Sequence, residues 1–231
     1  MTPEGPVVVV TAGAAVTYRT GGVARPALQP IDLQLDRSDR VAVVGQSGSG
    51  KSTLLHLLAG LLPPTQGIVT WPGIGHPTRR PGSVAMVFQA PSLVPALTGL
   101  ENVELPLLIA GMPAAKARMR AWAAMDTLGL GELADRLPEE MSGGQAQRVA
   151  VARAIAGEAA AILADEPTGQ LDHASGDQVV TALLVAADHN GAALMIATHD
   201  PAVAARMGRA LRLVDGHLDA PHPAGMRAGS R

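Results

Sequence analysis

Cysteine is absent from the 231 residues, which excludes a disulfide scaffold and any thiol chemistry. Aromatic side chains are nearly as scarce, at 2%, although 47% of the chain is apolar. A core so poor in rings must be built from Ala, Val, Leu and Ile, the material of buried parallel strands and their covering helices, so the composition leans towards α/β. A strong net charge is also missing: the formal value is -2 and the basic residues are scattered, which removes nucleic acid as a default partner. No apolar run reaches the roughly 18 residues of a membrane span. The nearest, Leu54 to Leu62, contains His56 and stops at Pro63-Pro64. The opening residues lack a basic-then-apolar targeting pattern, so a cytoplasmic location is expected.

The chain is long enough for one large domain, or one domain with a subsidiary lobe. Val7–Val10, Ile31–Leu35 and Arg40–Val44 read as strands, with a Gly, Arg and Pro loop between the first two. Lys51–Leu61 reads as a helix, and Ile68–Trp71 and Val84–Phe88 as short strands. From Leu100 to about Gly157 the periodicity is helical. Buried strands at Ala159–Ala164 and Ala192–Thr198 then alternate with helices at Ser175–Ala187 and Ala202–Met207. These shifts divide the chain into a core lobe of residues 1–88 and 159–219 with a helical lobe, 89–158, inserted in it. Residues 220–231, rich in Pro, Gly, Ala and Arg, read as a disordered tail.

Gly45-Gln46-Ser47-Gly48-Ser49-Gly50-Lys51-Ser52 follows a strand and opens a helix, the setting in which this glycine pattern cradles phosphates. Backbone N–H groups would surround the β-phosphate, Lys51 would reach the β/γ oxygens, and Ser52 could bind Mg²⁺. A chance match is disfavoured because the lysine falls here in a chain with only two. A dinucleotide fingerprint fails, since Thr53 stands where its third glycine belongs. The strand Ala159–Ala164 runs into Asp165 and Glu166. Period-2 alternation would send these acids to opposite faces, Asp165 to the metal and Glu166 to the attacking water, although Asp-Glu-Pro is also an ordinary turn. Ser142-Gly143-Gly144-Gln145 opens another helix and forms a second anion-ready terminus, or else a plain N-cap. Two half-sites on one chain point to head-to-tail pairing.

With these motifs the chain resembles the ATP-binding subunits of ABC transporters, whose signature reads Leu-Ser-Gly-Gly-Gln; here Met141 replaces the leucine. The resemblance implies a P-loop NTPase core with an N-terminal antiparallel β region and an inserted helical lobe. It implies ATP and Mg²⁺, Mg-dependent hydrolysis, and a dimer in which the signature of one copy meets the γ-phosphate held by the other. It further implies roles for Gln89 as a sensor of Mg²⁺ and water, His199 as a γ-phosphate contact and Asp172 in communication across the dimer. Tyr18, near the phosphate loop, would stack on adenine together with the loop residues through Thr53. Without the resemblance Gln89 is a polar strand end, Asp172 a helix cap, and Tyr18 an edge-strand residue. Asp200-Pro201 reads as an N-cap and first helical position.

Glu101-Asn102-Val103-Glu104-Leu105-Pro106 looks like the macrolide-exporter and lipoprotein-releasing branch. That likeness implies a separate membrane permease docking near Gln89 to Leu108, and a place on the inner face of the cell membrane. A non-transporting regulatory or cell-division ATPase, and an importer subunit, stay open as alternatives; a DNA-repair ATPase is disfavoured because no long heptad insertion separates the loop from the signature.

Overall fold

The structure, a computed structural model, describes residues 6–222. β1 (Val7–Thr20) and β2 (Val23–Asp36) form one long antiparallel hairpin, and β4 (Gln66–Thr70) pairs with the other edge of β1. This corrects the expected loop between Val10 and Ile31. Gly21 and Gly22 both take positive φ, the geometry a two-residue turn needs to match the right-handed twist of its strands. Pro26 and Pro30 are tolerated because β2 is an edge strand of its sheet, and register shifts along β1 mark bulges around Gly13.

The second sheet has the order β5-β6-β7-β3-β8-β9, from β3 (Arg40–Val44), β5 (Val84–Val87), β6 (Ala161–Asp165), β7 (Ala193–Thr198), β8 (Arg209–Val214) and β9 (His217–His222). All its pairings are parallel except β8 with β9. Among the described residues there are six α-helices: α1 (Lys51–Leu58), α2 (Gly99–Ile109), α3 (Ala114–Thr127), α4 (Gly143–Ile155), α5 (His173–Asn190) and α6 (Pro201–Ala205). α1 ends before Leu61 because Gly60 turns left-handed, at φ 70°. The β8–β9 hairpin turns on Asp215-Gly216, both at positive φ. β9 takes up residues 220–222, which corrects that end of the expected tail; the remainder of that tail lies outside the described residues.

β6 and β7 are buried along their whole length, as parallel strands covered on both faces must be. Their side chains alternate between two apolar clusters. Ile162, Ala164, Leu194 and Ile196 pack with Leu100, Val103, Met125, Val149 and Leu183 from the helices. Leu163, Met195 and Ala197 face the other way, onto Leu54 and Leu55 of α1 and Leu28 and Ile31 of the hairpin. Helices α2 to α4 thus share a core with the sheet. Among the described residues no helix is long and apolar enough to cross a membrane.

Candidate active site

The phosphate loop leaves the C-terminal end of β3 and is held from behind by a hairpin that the sequence reading did not anticipate. The Gly216 N–H donates to the Ser49 carbonyl at 3.0 Å, and the Gln29 N–H donates to the Gly216 carbonyl at 3.0 Å. The packing leaves no room for side chains on two of the loop's three glycines, while Gly48 faces open space and is set by its left-handed φ of 80°. A Cβ on Gly45 would lie 2.3 Å from the Leu213 carbonyl oxygen, and one on Gly50, at φ 106°, would lie 2.4 Å from that of Ala27. Gly50 is the N-cap of α1 and gives it no side-chain cap, so the helix terminus keeps donors for an anion.

Lys51 is buried, and its Nζ donates to the carbonyls of Gly45 at 2.8 Å and Gln46 at 3.2 Å. Its ammonium also stands 3.7 Å from Glu166 Oε1. Asp165 closes β6 at 3% exposure, and its Oδ1 has no hydrogen-bond partner. A carboxylate oxygen buried without a donor is costly unless a cation or water meets it.

Glu166 does not continue the strand's alternation. Its φ of 45° is a left-handed conformation rare outside glycine, although its N–H still donates to the Ala197 carbonyl at 2.9 Å. The twist turns its side chain into the same cleft as Asp165, not to the opposite face that period-2 spacing implied. There its Oε2 lies 2.9 Å from His199 Nδ1, so the two residues assigned separate contacts in the sequence form one hydrogen-bonded pair.

The cleft, about 660 Å³, is lined by the loop from Gln46 to Thr53 except Ser49, together with Gln89, Asp165, Glu166 and His199. Gly45 and Ser49 sit on the loop's rear side, where a second cavity meets Arg212 and Asp215. Tyr18 is exposed and does not line the cleft, but its hydroxyl lies 3.4 Å from Thr53 Oγ1. Ala27, Gly169 and Gln170 also line it, and none was a sequence candidate. No motif marks Ala27; it arrives through the hairpin that was read as a loop.

Ser142 caps α4. Its Oγ accepts from the Gln145 N–H at 3.2 Å, while Gln145 Oε1 accepts from the Ser142 N–H at 2.8 Å. None of Ser142, Gly143, Gly144 and Gln145 lines the cleft. Asp172 caps α5 by accepting from the Ser175 hydroxyl and N–H; these bonds, the hydroxyl's first, hold its carboxyl below the usual carboxylate range. Asp200 caps α6 ahead of Pro201.

The family model described as ABC transporter matches residues 28–169, well over half of the chain. The chain belongs to the ABC transporter ATP-binding family. Membership makes it an ATP-hydrolysing cassette, with an α/β fold of antiparallel and helical parts around a phosphate-loop core. It is 43% identical over 212 residues to the lipoprotein-releasing system ATP-binding protein LolD of Hydrogenovibrio crunogenus, spanning 88% of this chain and 92% of that one. It is 44% identical over 201 residues to the ABC transporter ATP-binding protein YbbA of Escherichia coli, spanning 83% and 87% respectively. Among solved structures, the ATP-binding cassette MJ0796, dimeric in a post-hydrolysis state with ADP and Pi, superposes with a TM-score of 0.88 at 34% identity, covering 95% of this chain and all of that one.

Proposed function

We propose that this chain is the motor of a membrane assembly, in which two copies close head to tail around ATP and pass that motion to a separate permease. The observation that carries this reading is the separation of two half-sites. The cleft holds Lys51, Glu166 and His199, while the N-terminus of α4, capped by Ser142 and uncharged, lies outside it. A second copy in the reverse orientation would bring Ser142 and the N–H groups of Gly143 to Gln145 to the γ-phosphate.

Mg²⁺ fits the donors present. Asp165 has a buried oxygen without a partner, and Ser52 and Gln89 line the same cleft. Among the described residues no cluster of three or more His, Cys, Asp or Glu could hold an ion, which suits a metal that takes one or two protein oxygens with phosphate and water. When bound, Mg²⁺ neutralises charge on the β- and γ-phosphates. Lys51 exchanges its carbonyl partners for phosphate oxygens. Glu166, held by His199, orients the attacking water and accepts its proton, and the second copy's Ser142 stabilises charge on the transferring phosphoryl group. Tyr18 stacks on the adenine at the rim, and Asp172 carries the state of one site to the other.

The permease docks at a groove of about 650 Å³, beside Phe88, Ser92, Pro106, Leu107 and Arg153. The likeness to a lipoprotein-releasing relative supports an export or force-transmitting role at the inner face of the cell membrane. Co-purification from native membranes tests it. A permease with few spans and a large extracytoplasmic domain is expected; an import permease, or no membrane protein at all, would refute the branch.

A further inference from the structure

α4 carries at its N-terminus the turn that reaches a second copy's ATP, and along its length two polar side chains that grip the segment bearing Gln89. Gln147, 1% exposed, donates from Nε2 to the Phe88 carbonyl at 3.2 Å, one residue before Gln89. Arg153, roughly 9 Å further along the helix at 1.5 Å per residue, donates from its two terminal nitrogens to the carbonyls of Ser92 at 2.8 Å and Pro91 at 3.0 Å. At the second anchor Ser92 takes a left-handed φ of 50°, a conformation that needs external support. Both ends of the short segment after β5 are therefore fastened to one helix.

Packing alone does not account for Gln147. Its Oε1 is buried without a partner, a penalty that a methionine of similar length would not carry. What the amide adds is the bond to Phe88. Arg153 is likewise drawn into apolar surroundings, and burial lowers its guanidinium pKa below the ordinary value. A planar fork can hold two carbonyls at once, which an ammonium cannot do with the same fixed geometry.

We infer that Gln147 and Arg153 are positioning residues that lock the Phe88–Ser92 segment to α4, so that Gln89 in one cleft and Ser142 at the other move as a unit. This inference rests on the two-copy reading above. A load applied to the docking groove beside Ser92 and Arg153 then reaches both ends of α4 together.

Gln147→Met and Arg153→Lys test it, each keeping length and apolar stem. The readouts are hydrogen exchange at the amides of Gln89, Ala90 and Ser92 in the nucleotide-free chain, equilibrium ATP affinity, and kcat. Exchange is expected to rise and kcat to fall, each roughly five- to tenfold, the scale of one lost hydrogen bond. Melting temperature and ATP affinity should stay near wild type. Unchanged exchange overturns the lock; raised exchange with unchanged kcat overturns its role in turnover; ATP affinity falling in step with kcat reduces both residues to fold stabilisers. The two-copy reading fails separately, if wild-type turnover per chain does not rise with chain concentration.

Discussion

Replacing Glu166 by Gln should stop turnover while leaving ATP binding intact. The amide matches the carboxylate in size and can still meet His199 Nδ1, which lies 2.9 Å from Oε2, so the cleft should keep its shape. It cannot take a proton from water. Positioned general bases contribute about 10²- to 10⁴-fold, and at 1.36 kcal/mol per decade that is about 3–5 kcal/mol of barrier. Binding should move the other way. Glu166 Oε1 stands 3.7 Å from the Lys51 ammonium and competes with phosphate for it. At that separation an ion pair of effective dielectric 20 is worth about 4 kcal/mol before desolvation, so removing the carboxylate frees Lys51 and removes a negative charge facing the triphosphate. Phosphate release at saturating Mg·ATP, paired with sedimentation in ATP, should report turnover at least about a hundredfold below wild type and an accumulated dimer. Turnover within a few-fold of wild type would refute the assignment, as would loss of ATP binding.

Lys51→Ala should cost on the order of 3 kcal/mol or more in transition-state stabilisation, the scale of a lost oxyanion donor; unchanged kcat/KM would contradict it. Asp165→Asn should raise the Mg²⁺ concentration needed for half-maximal hydrolysis at least tenfold, or about 1.4 kcal/mol, because the buried Oδ1 without a partner loses its charge; an unshifted Mg²⁺ titration would place the metal elsewhere. Asn102→Ala should lower the free energy of unfolding by about 2–4 kcal/mol in denaturant titration. Its fully buried amide accepts from the Val94 N–H and donates to the carbonyls of Val94, Leu97 and Thr98, all of which would lose a partner.

The parts of the site written in local chemistry were legible. The phosphate loop, the acids at the end of β6 and the Asp200-Pro201 cap each declare themselves within a few residues, because glycine conformation, strand ends and helix termini are short-range matters. The β1–β2 hairpin was hidden because Pro26, Pro30 and a bulged register imitate a loop, and only its edge position in the sheet makes them acceptable. The β8–β9 hairpin did carry a signal, Asp215-Gly216 between apolar stretches, that went unread. Its role behind the phosphate loop was not readable, since Gly216 and Ser49 are far apart in the chain. The same holds for the Glu166–His199 pair, which depends on one left-handed residue that period-2 reasoning cannot foresee. Asn102 entered as a marker of a branch; the structure gives it a physical task, pinning residues 94–98 ahead of α2.

The central claim is that an active site exists only between two copies, and mixing two inactive variants tests it most directly. Lys51→Ala keeps an intact signature turn, and Ser142→Ala keeps an intact phosphate loop. Each alone should be nearly inactive, because every site in either homodimer lacks one essential group. In an equal mixture half the dimers are mixed and each regains one complete site, so activity should return to about a quarter of the wild-type site count. No recovery above the separate variants would contradict the composite site.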